Sequence, residues 1–137
     1  MPRLPDQKTL DLNKIEIRQM DVTVIKRLTD QAARRFVPPV TDYQAVSPSW
    51  NETEYRHFEA PSTNVVVGFW TGAPGKVTLN PWPYTEVCSI LSGRVAVRDQ
   101  QGGQVEFGAG QAFMVPKGFV GDWITLEPAS KLFVAIC

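Results

Sequence analysis

Apolar and polar residues alternate densely from Tyr55 to the end of the chain. Short alternating or wholly apolar segments are separated there by Gly, Pro and Asn turns, which is typical of an antiparallel sandwich or jelly roll. The pattern predicts strands at Arg56–Glu59, Val65–Trp70, Lys76–Leu79, Val95–Val97, Val105–Phe107 and Leu132–Ile136. It predicts turns at Pro61–Asn64 and Thr71–Gly75 and a hairpin loop at Asp99–Gly103. We therefore predict an all-β fold.

The pattern is weaker before Tyr55. Leu10–Arg18 alternates with one slip and predicts a short strand. Val22–Phe36 is ambiguous, because its apolar residues fall on one helical face while its first residues are β-branched. We predict a helix in the second half of this segment only. It would begin near Asp30 and end before Pro38, because proline lacks the hydrogen-bond donor that a helix needs.

The segment Pro38–Glu54 contains the residue types of turns and loops. It predicts an irregular surface connection that carries Trp50 onto the β-domain. We expect residues 1–54 to form an N-terminal extension that packs on a domain formed by residues 55–137. With 137 residues in total, the chain is long enough for one core, so the two parts make one structural domain.

Side-chain alternation in the predicted strand after Thr85 locates a candidate pocket. Successive strand residues point to opposite faces. One face carries Glu86, Cys88 and Ile90, and the other carries Val87, Ser89 and Leu91. Extending the first set backwards adds Thr78, Asn80, Trp82 and Tyr84, although Pro81 and Pro83 interrupt the ladder.

Two short motifs bracket the stretch Thr85–Gly118, which reads as three strands separated by Gly-containing turns. Six residues separate Glu86 from Gly93, and five separate Gly110 from the run Pro116-Lys117-Gly118. The three glycines are predicted to adopt positive φ, which glycine reaches without steric cost.

These motifs, together with Gly68–Trp70 and Gly118–Trp123, resemble the paired motifs of the cupin superfamily. Within it they are similar to the small single-domain branch grouped with the cupin domain of ureidoglycine aminohydrolase and the ethanolamine-utilisation cupin, domain of unknown function 861. The resemblance spans roughly Val65 to Ile136. It implies an antiparallel double-stranded β-helix, the jelly-roll cupin barrel, in which Glu86 points inward. Across the barrel it would be faced by Gly121, Trp123 and Thr125.

The resemblance also implies where a metal would be held, and there this sequence departs from the family. Metal-binding cupins place His-x-His three or four residues before the motif glutamate and a further His three residues beyond Pro-x-Gly. Those positions hold Asn80 and Trp82, or Leu79 and Pro81 in the other spacing, and then Gly121. The sole histidine, His57, lies outside both motifs and is expected to be a partly exposed strand residue. One carboxylate without imidazoles is a poor zinc or iron site, so we predict no metal and no other cofactor.

The predicted pocket is an aromatic wall around one acid. Glu86 is the candidate catalytic residue. The candidate ligand-binding residues are Trp70, Asn80, Trp82, Tyr84, Glu86, Cys88, Trp123 and Thr125. Each also has a purely structural interpretation, and nothing in the sequence supplies a base that would activate Cys88. If Glu86 is unpaired, burial raises its pKa, and a bound amine lowers it again.

Two functions fit this pocket. In the first, a binding cupin holds a small molecule, and a cationic ligand suits Trp and Tyr faces beside a carboxylate. In the second, a metabolic enzyme resembling ureidoglycine aminohydrolase, or another small-metabolite lyase or isomerase, uses Glu86 as general acid or base. The loss of every motif imidazole favours binding.

Composition and charge exclude other partners. Fourteen basic and fourteen acidic residues cancel, so no nucleic acid is predicted. No apolar run is long enough to span a bilayer, and the first residues lack the apolar core of a secretory signal, so we predict a cytoplasmic protein. Two cysteines are too few for a disulfide framework. We predict a homodimer, because small cupins usually pair and because the face that carries Val87 and Leu91 needs cover.

Overall fold

The computed structural model describes residues 20–29 and 33–137. Within them, nine strands form one antiparallel sheet that curls on itself, and the predicted all-β fold is confirmed. The strands are β1 (Arg34–Phe36), β2 (Ala45–Val46), β3 (Glu52–Ala60), β4 (Val65–Gly72), β5 (Gly75–Leu79), β6 (Thr85–Asp99), β7 (Gln104–Gly108), β8 (Ala112–Val115) and β9 (Gly121–Ile136). Two 3-10 turns, Val22–Val24 and Val40–Asp42, are the helical segments of this part of the chain. None of the described helices is long and apolar enough to cross a membrane.

Two long strands, β6 and β9, organise the sheet by pairing along their whole length. The first half of β6 also pairs with β8, and its second half pairs with β7. The second half of β9 pairs with β4, and its first half pairs with β5. The long strands therefore belong to two layers, one extended by β4, β3 and β1 and the other by β5 and β2. Between the layers lies the core, where Trp70 meets Trp123 edge to face at 5.5 Å.

Gly93 marks the place where β6 passes from one layer to the other. Its φ is +79°, and a Cβ there would lie 2.1 Å from the carbonyl oxygen of Pro128, so only glycine fits. The register with β9 shifts on both sides of this position. The expected Gly turn between two strands is therefore wrong: Gly93 forms a bulge within one continuous strand.

The hairpin and turn predictions after Gly93 are confirmed. Asp99 ends β6, and its Oδ1 accepts hydrogen bonds from the backbone N–H groups of Gln101 and Gly103 at 2.8 Å. Across this loop Val95 pairs with Phe107 and Val97 pairs with Val105. The turn glycines Gly110 and Gly118 have φ values of +86° and +95°.

The N-terminal segment differs from its prediction. Arg34–Phe36 is a strand rather than the end of a helix, and Arg35 pairs with Tyr55 of β3. The guanidinium of Arg56 lies 3.9 Å from the centre of the Phe36 ring. Strand pairing and this cation–π contact outweigh the modest helix propensity of the segment. The start of the predicted helix, residues 30–32, and the predicted strand Leu10–Arg18 lie outside the described residues.

The segment Pro38–Glu54 is mostly the irregular surface connection that its composition predicts, but two strand pieces interrupt it. Ala45 and Val46 pair with β5, and β3 already begins at Glu52, so the predicted boundary between residues 54 and 55 falls inside a strand. Trp50 packs against the core, as expected. Ala45 and Val46 form the edge strand beside β5, whereas β3 lies between β1 and β4.

His57 is buried rather than partly exposed. It lies where the pairing of β3 with β4 shifts between Arg56 and Phe58. The backbone N–H of Thr29 donates to its Nε2 at 3.1 Å, so the imidazole ties the N-terminal segment to the sheet.

Candidate functional site

An inner cavity lies between the two layers. It is lined by residues of β3, β4, β5, β6 and β9 and of the segments before β3 and β6. Five predicted site residues meet there: Trp70, Trp82, Tyr84, Glu86 and Trp123. The free space within it is about 40 Å³, room for a few water-sized molecules.

Three predicted site residues do not line this cavity. Asn80 is exposed, because Val77 and Leu79 are the β5 residues that point inward and the prolines that follow break the alternation. Cys88 is buried in the core. Thr125 is also buried, and its hydroxyl accepts a hydrogen bond from the Trp123 indole at 3.1 Å.

Glu86 is inward and buried, and it has a cationic partner that the sequence analysis missed. Lys131 Nζ lies 2.5 Å from Glu86 Oε2, and the side chains are only 5% and 8% exposed respectively. The Trp82 indole N–H donates to the other carboxylate oxygen at 3.1 Å. The ammonium also sits over the Trp123 ring at 3.8 Å. The missed signal is alternation in β9, which places Lys131 on the same face as Phe133 and Ala135.

This pairing reverses the pKa expected for an unpaired Glu86. Burial acts to raise the pKa of Glu86, but the Lys131 ammonium and the Trp82 N–H outweigh it and hold the pKa below its usual value. Burial acts to lower the pKa of Lys131, but the neighbouring Cys88 sulfur and the Glu86 carboxylate together more than offset it, so the Lys131 pKa is raised. Burial also raises the pKa of the Cys88 thiol, whose sulfur lies 3.7 Å from Lys131 Nζ.

Glu52 is a second buried carboxylate at the inner cavity. The indole N–H groups of Trp50 and Trp70 each donate to it at 2.9 Å, and the Tyr43 hydroxyl also donates. Burial and the Glu52 charge raise the pKa of Tyr43 above its usual value. The sequence analysis missed Glu52 and Tyr43 because it assigned both to a surface connection.

Glu54 and Tyr84 lie where the inner cavity meets an outer one. The outer cavity, of about 360 Å³, is bounded on its far side by Phe36, Pro38 and Arg56, and both cavities share Glu54 and Tyr84. Arg56 Nε donates to Glu54 Oε1 at 2.8 Å. Burial raises the pKa of Glu54 although Arg56 opposes it, and burial with the nearby carboxylates raises the pKa of Tyr84.

The inner cavity is therefore acidic. Three carboxylates, Glu52, Glu54 and Glu86, line it, whereas Lys131 is its only cationic lining residue among those described. Arg56 faces the outer cavity. Lys131 balances the charge of Glu86 and Arg56 that of Glu54, so Glu52 is the lining carboxylate without a cationic partner among the described residues. One net negative charge beside an aromatic wall favours cations over anions.

The residues do not fit a transition-metal site. The described part of the chain contains no cluster of three His, Cys, Asp or Glu side chains that could hold a metal ion. At the motif positions, Asn80 is exposed, Gly121 has no side chain, and Glu86 is already bound by an ammonium group. Metal sites of cupin type need several N or O ligands, which these positions lack.

Known structures share the fold. A putative ethanolamine utilization protein Q from Salmonella typhimurium is 21% identical with a TM-score of 0.55, over 62% of this chain and 68% of that one. The EutQ protein of Clostridium difficile is 16% identical with a TM-score of 0.59, over 70% and 76% of the two chains. A DUF861 protein of unknown function from Pseudomonas syringae is 20% identical with a TM-score of 0.65, over 79% and 46%. At these identities the likeness shows the fold alone.

Comparison of the sequence with family models shows more than the fold. No curated protein matches the chain. The EutQ-like cupin domain model, however, matches residues 59–133, which is more than half of the chain. Tyr43, Glu52 and Glu54 precede the matched range. The protein belongs to the EutQ-like cupin family.

Proposed function

We propose that the protein is a small-molecule-binding cupin whose ligand occupies the inner and outer cavities. The observation that carries this proposal is the lining, in which indole and phenol rings surround a few polar groups. Such a composition is usual for a small-molecule site. Since the inner cavity offers about 40 Å³ and the outer about 360 Å³, only the tip of the ligand would enter the inner one.

The state of Glu86 and Cys88 supports binding over catalysis at these residues. A carboxylate with a lowered pKa is a weak base and carries no proton to donate near neutral pH. A thiol with a raised pKa is a poor nucleophile. A hydrolase, lyase or isomerase that uses Glu86 as general acid or base is therefore the second candidate.

The test is a thermal-shift screen of the full chain against amines, alcohols and carboxylates of up to about six heavy atoms. A ligand that binds only the folded state raises the melting temperature with its concentration. We expect at least one class to do so equally in the wild type and in Gln101→Ala, whose side chain is exposed in the loop after β6. The proposal fails if no member of the panel stabilises the protein.

We also propose that the outer face of the sheet packs against a second copy of the chain. One row of side chains crosses five paired strands: Met114, Val87, Val134, Val67 and Phe58. Met114 is 60% exposed and Phe58 is 54% exposed, which is unusual for large apolar side chains in one continuous row. We expect sedimentation to show a dimer at micromolar concentration and Val87→Lys to show a monomer. A monomeric wild type would contradict the proposal.

A further inference from the structure

Most polar groups of the inner cavity already have partners inside the protein. Both oxygens of Glu86 and both oxygens of Glu52 accept hydrogen bonds from other side chains. The four indole N–H groups are also bonded, those of Trp50 and Trp70 to Glu52, that of Trp82 to Glu86 and that of Trp123 to Thr125. A ligand would have to break one of these bonds to use these groups.

The junction of the two cavities is different. Among the described residues, the Tyr84 hydroxyl has no hydrogen-bond partner, and Arg56 occupies only one oxygen of Glu54. No fully buried polar side-chain atom in that part of the chain lacks a partner. The Tyr84 hydroxyl and the free Glu54 oxygen are therefore open to the cavities that both residues line.

We propose that Glu54 and Tyr84 are the residues that select the ligand, and that they bind an organic ammonium group at this junction. The inference rests on the proposed small-molecule function. The free Glu54 oxygen and the Tyr84 oxygen accept hydrogen bonds from the ammonium group, while the apolar part of the ligand lies in the outer cavity. The Glu52 carboxylate, which has no cationic partner among the described residues, adds attraction from the inner side and disfavours an anionic ligand, whereas the charge of Glu86 is balanced by Lys131.

The size of the two cavities sets the position of the ligand. The inner cavity has room for a few water-sized groups only, so the ammonium group reaches no further than the junction and the body of the ligand stays in the outer cavity. Arg56 and Phe36 bound the outer cavity. Because Arg56 binds Oε1 of Glu54, the cationic group is expected to bind the other carboxylate oxygen.

The experiment is a titration of the full chain with propylammonium, 1-propanol and propionate, followed by amide chemical shifts. The three probes are close in size and differ in charge. In the wild type we expect propylammonium to bind more tightly than either other probe. Both proposed hydrogen bonds come from a charged ammonium group, so Glu54→Gln and Tyr84→Phe are each expected to weaken propylammonium binding about tenfold to a hundredfold.

Matched variants separate binding from folding. Glu54→Asp retains the charge and is expected to recover part of the loss, and Gln101→Ala, at an exposed loop position, is expected to bind like the wild type. Melting curves identify any variant that is unfolded, and the wild-type comparison of the three probes remains decisive without a mutation.

Different failures point to different conclusions. Propylammonium that binds Glu54→Gln and Tyr84→Phe as tightly as wild type overturns the assignment of the two residues and leaves the small-molecule function standing. Tighter binding of 1-propanol or propionate overturns the ammonium class alone. If none of the probes and no member of the thermal-shift panel binds, the proposed function itself fails.

Discussion

The acidic residues at the two ends of the cavity differ in how completely they are hydrogen-bonded. At the deep end, Glu86 is bound by Lys131 and Trp82, and Glu52 receives three hydrogen bonds. At the junction, one carboxylate oxygen of Glu54 and the hydroxyl of Tyr84 have no hydrogen-bond partner among the described residues. A buried charge is costly unless it is paired, whereas a group at a cavity opening can be satisfied by water or ligand. The deep end therefore contributes to stability, and the junction is suited to binding.

Lys131→Met is expected to show the largest effect on stability. It leaves the Glu86 carboxylate buried without its cation, which costs about 3–5 kcal/mol when one partner of a buried pair is removed. Urea unfolding measures the loss. Lys117→Met, at an exposed position, is the matched control and is expected to change stability by less than about 0.5 kcal/mol.

A double variant sharpens this result. Glu86→Gln added to Lys131→Met removes the uncompensated charge and is expected to recover part of the stability. If Lys131→Met alone unfolds at the same urea concentration as the wild type, the deep pair does not stabilise the fold.

A change of pH is expected to reduce the free energy of unfolding by less than Lys131→Met does. Neutralising either Glu86 or Lys131 removes one charge but leaves the two side chains hydrogen-bonded. The pKa of Glu86 is lowered, so its contribution is present above its unfolded pKa of about 4.3 and is lost as the pH falls through the folded value. The pKa of Lys131 is raised, so its contribution is present below about 10.4 and is lost as the pH rises through the folded value. Urea unfolding across pH is expected to show both losses.

In the Lys131→Met variant, the pH dependence of stability in acid is expected to change sign. Without the ammonium, burial raises the pKa of Glu86, so protonation stabilises the variant relative to the wild type as the pH falls. If the difference in unfolding free energy between the wild type and Lys131→Met does not decrease as the pH falls, the Glu86–Lys131 pair does not control the stability in acid.

Glu52→Gln is expected to cost about 1–3 kcal/mol, because an amide offers one acceptor oxygen and leaves one indole N–H unpaired. Thermal unfolding measures it. The control is Glu106→Gln, whose surface pair with Arg94 is about half exposed and is expected to contribute less than about 1 kcal/mol. Equal losses in the two variants would remove the distinction between buried and exposed acids.

The smallest effect compares two tyrosines. Tyr43→Phe removes a hydroxyl that donates to Glu52 and is expected to cost about 1 kcal/mol. Tyr84→Phe removes a hydroxyl without a partner among the described residues, so its melting temperature is expected to stay near that of the wild type. A larger loss for Tyr84→Phe would place its hydroxyl in a structural role.

The sequence by itself determined the features that depend on local rules. Strand alternation correctly placed Glu86, Cys88 and Ile90 on one face, because the side-chain period of a strand is two residues. The resemblance to cupins, rather than alternation, implied that this face points inward towards Trp123. The positive φ of Gly110 and Gly118 was equally predictable from the turns that contain them. Asn80 was misplaced because the same rule was carried across two prolines that break the ladder.

Tertiary structure alone decided the partners of the acids. Glu86 and Lys131 are 45 residues apart in the chain, and Glu54 of β3 and Tyr84 before β6 come from separate segments yet line the same two cavities. Arg34–Phe36 became a strand because β3 offered it an edge to pair with. Local periodicity carries no information about such pairings, since they depend on which strands lie side by side and on the charges that burial brings together.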